Sequence, residues 1–502
     1  MNRPPDIVII GSGIGGATVA SGLAPSGAEI LILERGERLP RRPENRDARA
    51  IFQRGFFRPK EAWYDASGAG FGPGNYYNVG GNSKFYGAVL VRYRREDFDA
   101  IQHFDGVSPA WPFAYEELEP WYGRAEALYN VRGELGDDPT EPPHSSRYQF
   151  PPVPDEPAIA RVRERLKRAG MHPASLPLGV DLDQWLAAGR TPWDAHPDSF
   201  TGKMDAETCA LAEALRFPNV KLQTNAPVRR LLTESDGRRI SGVEYMAEGA
   251  VETVRPKLVI LSAGAVPSAA LLLRSANDAN PNGLANSSDQ VGRNFMNHNA
   301  TAVIGLDPFF RNDSVYQKTF GFNDFYLEDG KGGPPLGNVQ LLGRVSGAIL
   351  KAQMKMVPEW LLSMVSRHGI DFYAMSEDLP SPLSRVRVDR ERIILDWVRT
   401  NWTGHIRLVA ALKDVLRRAG FPMVLSRAFD KRTPSHQCGT VRMGNDPASA
   451  PLDMFCRSYD HPNLFVVDAS CLVTSAAVNP ALTIAAQALR VADHITRTEV
   501  AA

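Results

Sequence analysis

The chain has 502 residues, and its 57 Lys plus Arg balance 57 Asp plus Glu, so it carries no formal net charge at neutral pH. That balance excludes a protein held to nucleic acid mainly by phosphate contacts, which needs a basic excess. Hydrophobic residues at 43% and charged residues at 23% describe a folded chain with a large core, and roughly 150 residues per domain sets a prior of about three units.

Residues 6–10 (DIVII) predict a strand. Gly11, Ser12, Gly13, Ile14, Gly15 and Gly16 follow, and then Ala17, Val19, Ala20 and Leu23 at helical spacing, so the order is strand, glycine turn, helix. Gly11 permits the tight turn, Gly13 lets a pyrophosphate approach the backbone, and Gly16 allows helix and strand to pack closely. Residues 29–33 (EILIL) predict a second strand ending at Glu34, where a carboxylate can accept both hydroxyls of an adenosine ribose. The motif suits NAD and FAD alike, because both present ADP; Glu34 would repel a 2′-phosphate, which disfavours NADP.

Residues 41–74 are irregular, and the run 75–88 carries the glycine pair Gly80 and Gly81 with Asn82 and Ser83, small residues that let backbone approach a flat ligand. Residues 89–94 (VLVRYR) predict a strand, 115–122 a helix, 139–157 a proline-rich loop, 158–169 an amphipathic helix and 204–215 another. Residues 220–224, 228–232 and 242–246 alternate like an antiparallel meander, and 258–262 (LVILS) predict a buried strand followed by a helix through 271–274. Strand-like runs at 301–306, 320–326, 372–375 and 392–398 predict a second sheet. The stripe of Met354, Met356, Trp360, Leu361, Leu362 and Met364 reads first as the core-facing side of a helix.

The N-terminal residues show no secretory signal, and the uncharged stretch 469–489 holds too many polar residues for a transmembrane span. Cys209, Cys438, Cys456 and Cys471 have neither paired nor metal-ligand spacing. A disulfide scaffold and a metal site are therefore not expected, and a reducing, cytoplasmic compartment fits.

Near the C-terminus, residues 435–444 (SHQCGTVRMG), 463–470 (NLFVVDAS) and 477–484 (AVNPALTI) follow one another. Together with the N-terminal glycine motif and the Gly80 to Ser83 run, they resemble the glucose-methanol-choline (GMC) oxidoreductases, a family of FAD enzymes. The whole is somewhat closer to bacterial pyranose and glycoside oxidases than to choline or aryl-alcohol enzymes. The resemblance runs from residue 6 to about residue 495 and implies an α/β fold: a discontinuous Rossmann-like FAD-binding domain (1–95, 205–299 and 430–502) and an α+β substrate domain with an antiparallel sheet (96–204 and 300–429). It also implies FAD phosphates on Gly11, Gly13 and Gly16, adenosine ribose on Glu34 and adenine at the Val228 backbone. Gly81, Asn82 and Ser83 would lie beside the flavin ring, Asp468 at the ribityl or pyrophosphate portion, and Asn479, Pro480 and the residues to Thr483 at the pyrimidine edge. His436 and Asn479 match the catalytic pair.

The chemistry justifies those two residue types. Oxidising an alcohol to a carbonyl removes a hydroxyl proton, which a neutral imidazole can take, while an amide can donate to the developing alkoxide. His461 reads as a surface-turn residue, and His298 lies in a stretch, 292–298, that resembles the family near its domain junction. The segment 82–88 (NSKFYGA) offers no His or Cys for a covalent tether, so FAD is expected to be dissociable. Lys84 reads equally as a solvated lysine or as a charge acting on the flavin.

The expected substrate is an alcohol, foremost a sugar or glycoside hydroxyl, with Tyr86, Trp193, Gln340, Tyr373 and Glu377 as candidate contacts. A primary, aromatic or polyol alcohol is the alternative, and a non-catalytic flavin-binding subunit the remote one. The electron acceptor is oxygen or a quinone-like compound.

Overall fold

The four residues Ile7–Ile10 are buried on both faces, as a run of unbroken β-branched and aliphatic side chains requires. In the computed structural model, which describes residues 4–189, 191–197, 202–315, 318–430 and 436–500, this strand lies at the centre of a five-stranded parallel sheet. Ser435, at the head of the C-terminal motif, and residues 198–201 lie outside the described residues.

The sheet order is Leu464–Val466, Leu258–Leu261, Ile7–Ile10, Ile30–Leu33, Val220–Gln223. Every neighbouring pair is parallel. Its strands come from four distant parts of the chain, and each return needs a crossover. Helices Ile14–Leu23 and Ala481–Ile495 pack together, and a Cβ on Gly22 would come within 2.6 Å of the Ala492 Cβ. Val220–Gln223 was expected in the antiparallel meander but is the edge of the parallel sheet. The meander consists instead of Val228–Thr233, Ile240–Ala247 and Ala250–Val254. Alternation cannot separate these cases, because an edge strand of a parallel sheet is also half exposed.

A second, six-stranded sheet has the order Met423–Ala428, Asn299–Leu306, Gly369–Ser376, Asn338–Gly343, Phe320–Phe322, Ala174–Ser175, with every pair antiparallel. Ile370, Phe372 and Ala374 point to one face, where helices Pro157–Arg168 and Trp402–Arg418 cover them with Ile159, Val162, Leu408 and Leu412. Tyr373 and Met375 point to the other face, as the period of two dictates. The fold is therefore the expected one, a Rossmann-like parallel sheet assembled from separated segments beside an antiparallel-sheet domain.

Three further local expectations fail. Residues 89–94 form no strand: Val89 makes one isolated bridge to Leu178, and the run crosses the interior with Arg92 paired to Glu119 and Glu126 and Arg94 to Asp138. The hairpin Arg385–Asp389 and Arg392–Asp396 leaves the second sheet, pairs with Trp63–Tyr64, and packs on helix Ala265–Arg274. The Met-rich stripe does not face a core. Met354, Met356, Trp360 and Met364 are exposed, and of the stripe only Leu362 is buried.

Candidate active site

The strand Ile7–Ile10 ends in a turn whose glycines differ in what limits them. Gly11 has φ +103°, and a Cβ there would lie 2.3 Å from the Ser262 carbonyl oxygen; on Gly16 it would lie 2.0 Å from that of Gly11. Those two positions are closed by packing. A Cβ on Gly13 would meet no heavy atom within 4 Å, and across from it a Cβ on Gly81 would lie 3.4 Å from the Gly13 Cα. The glycine turn and the Gly81–Lys84 segment thus pack closely against each other, and Gly13 leaves the space around its Cβ position open beside the N-terminus of the helix Ile14–Leu23, where amides can meet a phosphate.

Glu34 sits at the end of the second strand, buried, and its carboxylate accepts from the Ser12 amide at 3.0 Å, the Ser12 hydroxyl at 2.6 Å and the Gly36 amide at 3.1 Å. Burial raises its pKa, and these donors partly offset that shift. Val228 opens the meander strand, half-buried. Asn82 is exposed and accepts from the Tyr76 amide at 2.8 Å, while Ser83 donates to the Gly80 carbonyl at 2.6 Å and accepts from the Ala206 amide at 3.1 Å.

Lys84 is neither solvated nor unpaired. It is buried, with Asp205 at 3.0 Å and Glu207 at 2.5 Å. Asp468 accepts from the Gly264 amide and Ser268 hydroxyl on one oxygen and from Ser470 on the other, so its carboxylate ties together the turns that end two parallel strands. Asn479 and Pro480 precede helix Ala481–Ile495, whose first amides have no intrahelical acceptor.

Three segments far apart in sequence meet around His436. Its Nδ1 lies 2.8 Å from Nδ1 of His298, and its Nε2 lies 3.1 Å from the Asn479 Nδ2. Gln340, in the antiparallel sheet, donates its amide to the Asn479 Oδ1 at 2.6 Å. His298 Nε2 lies 2.9 Å from the Ser475 carbonyl oxygen, which also accepts from the Tyr93 hydroxyl at 3.1 Å. Burial lowers the pKa of both imidazoles, that of His436 strongly, with His298 and then the nearby positive charge of Lys318 adding to the shift on His436. Both rings are therefore neutral near pH 7, and His436 can take a proton while Asn479 holds an amide donor beside it.

Of the other candidates, Gln340 and Tyr373 stand directly opposite each other in register and so share the face that carries the site. Trp193 is buried edge-on against Trp185 with centroids 5.7 Å apart, Tyr86 donates to the Met204 carbonyl, and Glu377 holds Ser108 at 2.5 Å and His103 at 3.1 Å. His461, expected at a surface turn, is buried, with its Nδ1 3.3 Å from the Arg238 carbonyl oxygen. Sequence reasoning gave His298 no partner, because it reaches His436 only through pairing of the Met296 and Cys438 backbones, which no local pattern encodes.

A Rossmann-like nucleotide fold thus stands beside a neutral imidazole and an amide. Residues 78–300 match the N-terminal GMC oxidoreductase family model, residues 396–488 the C-terminal one, and residues 9–55 an NAD(P)-binding Rossmann-like domain. The chain belongs to the GMC oxidoreductase family, and with that domain the family implies FAD as cofactor, which the open Gly13 position at the helix N-terminus fits.

It is 29% identical to a 2-methyl-1,2-propanediol dehydrogenase of Mycolicibacterium austroafricanum, covering 98% of this chain and 95% of that one. It is 28% identical to a 6'''-hydroxyparomomycin C oxidase of Streptomyces lividus, covering 98% and 92%. Among solved structures it resembles a pyridoxine 4-oxidase from Mesorbium loti, with TM-score 0.69, 19% identity and coverage of 99% and 100%, a likeness of fold. Among the described residues no helix is long and apolar enough to cross a membrane.

Proposed function

We propose that this GMC-type alcohol oxidoreductase acts on a sugar or glycoside hydroxyl, with His436 and Asn479 as its catalytic residues. The observation that carries the reading is the approach of His436 Nε2 to Asn479 Nδ2, 3.1 Å, beside the Gln340 and Tyr373 face. His436 takes the hydroxyl proton on Nε2, and its depressed pKa keeps it ready for that proton at neutral pH. Asn479 turns its amide hydrogens toward the alcohol oxygen as negative charge develops there. Gln340 holds the Asn479 carbonyl oxygen, which keeps the donor end aimed at the site. Tyr373 offers an aromatic face and Gln340 an amide to the ring and hydroxyls of a sugar.

FAD, when bound, supplies the acceptor for the carbon-bound hydrogen and its electron pair. Gly11, Gly13 and Gly16 would hold its phosphates, Glu34 its adenosine ribose and Val228 its adenine. Gly81, Asn82 and Ser83 would flank the ring, Asp468 would shape the turn under the ribityl portion, and the backbone from Asn479 and Pro480 would meet the pyrimidine edge. No His or Cys stands in 82–88, which supports dissociable FAD. Oxygen or a quinone-like compound takes the electrons onward. All four cysteines are free and buried, in keeping with a cytoplasmic setting.

The test is anaerobic bleaching of the flavin band by D-glucose, an aryl glucoside, 1,2-propanediol and benzyl alcohol in parallel. Fastest bleaching by either sugar compound supports the reading. Bleaching by the diol or benzyl alcohol alone would move the substrate to non-sugar alcohols.

A further inference from the structure

The hydrogen-bonded chain through the site runs from the Ser475 carbonyl through His298 and His436 to Asn479 and Gln340. Four of its five members can present either a donor or an acceptor by changing tautomer or turning an amide over. The fifth is a backbone carbonyl, which only accepts. The direction of every bond follows from that one end. Nε2 of His298 must carry a proton to bond the Ser475 oxygen at 2.9 Å, so a neutral His298 has its lone pair on Nδ1. Nδ1 of His436, 2.8 Å away, must then donate, which leaves the lone pair of His436 on Nε2. Nε2 faces the Asn479 Nδ2, and the Asn479 oxygen accepts from Gln340. No link in the chain meets donor against donor.

We infer that His298 is a positioning residue: it fixes the tautomer of His436, so that Nε2 meets the substrate hydroxyl with its lone pair. This rests on His436 being the base of the proposed reaction. The opposite tautomer would set an Nε2–H against the Asn479 amide hydrogens and leave no lone pair for the alcohol. His298 accepts the same Nδ1–H after His436 has taken the substrate proton, so the supporting bond persists through the step without rearrangement.

A protonated His298 would donate from Nδ1 and force the proton of His436 onto Nε2. Burial of His298 works against that state. The titratable groups facing the pair are Tyr93, whose hydroxyl shares the Ser475 carbonyl, Glu377 and Asp378 after the strand Gly369–Ser376, His405 on helix Trp402–Arg418, and Lys318 beside His436.

The test joins 15N-histidine NMR of the FAD-loaded protein, which reads the tautomer directly, to anaerobic flavin reduction by the bleaching donor. In the wild type, His436 should carry its proton on Nδ1. His298→Ala should lose that single tautomer and slow reduction on the order of a hundredfold, mostly in the limiting rate rather than in KM. His298→Asn, whose side-chain oxygen can accept from His436 Nδ1, should recover to within about tenfold of wild type. A wild-type His436 protonated on Nε2 would overturn the inference, whatever the variants do. So would His298→Ala reducing at the wild-type rate while His436→Ala does not. A His436→Ala protein that itself reduces at the wild-type rate would instead remove the base assignment on which the inference rests.

Discussion

Replacing Asn479 by Asp puts a negative charge where the amide stands, 3.1 Å from His436 Nε2. At an effective dielectric of about 20, a unit charge at that distance stabilises the imidazolium by about 5 kcal/mol, equivalent to about four pH units. In the native protein, burial, His298 and the positive charge of Lys318 hold the pKa of His436 well below its ordinary value, so the base is free at neutral pH. The carboxylate reverses this: the imidazole is protonated through neutrality, and its basic form returns only as the pH rises.

The assay is the anaerobic rate of flavin bleaching by a saturating donor between about pH 5 and 10. Wild type should give a rate that changes little across neutral pH, whereas Asn479→Asp should be slow there and climb on the alkaline side, its limb displaced upward by several pH units. Asn479→Ala separates charge from loss of the donor: it should slow reduction by roughly a hundredfold or more without displacing the limb. A pH profile for Asn479→Asp that superimposes on the wild type would refute the reasoning.

The glycine turn and the buried charges give two more tests. Gly13→Ala places its Cβ in open space and should fold with stability within about 0.5 kcal/mol of the apo wild type while binding FAD more weakly, whereas Gly16→Ala meets the Gly11 carbonyl and should lower stability itself; thermal melts of the apo proteins separate them. Asp371 is pushed up to about 7 by burial, offset in part by the Val345 amide at 2.8 Å. A carboxyl raised in the folded state stabilises most below its unfolded pKa and loses that contribution as pH climbs through the folded one. The stability advantage of Asp371→Asn over wild type should therefore grow by about 2 to 3 kcal/mol between pH 5 and 8, and a constant difference in denaturant melts would contradict it.

The fold of the nucleotide unit was largely legible because it depends on local order. A strand, a turn whose glycines are set by packing, a helix and an acid at the next strand end are each encoded within a few residues. His436 and Asn479 were legible as motif members, and Gln340 only as a guess from composition. The links between them were not, since His298 reaches His436 through an isolated backbone bridge between residues 296 and 438, and Gln340 reaches Asn479 from the antiparallel sheet. The failures share a cause. The run 89–94 satisfied every strand preference except a place for Arg92 and Arg94, whose carboxylate partners lie beyond residue 115. The Met-rich stripe has helical spacing but no element packed over it, and spacing alone does not reveal which face is covered.

The most direct measurement of the central claim is an anaerobic single turnover of wild type and His436→Ala, each loaded with FAD and mixed with the donor that bleaches the wild type fastest. The account predicts equal flavin content in both proteins and a bleaching rate in His436→Ala lower on the order of a hundredfold or more at neutral pH. Equal rates in the two proteins would contradict it.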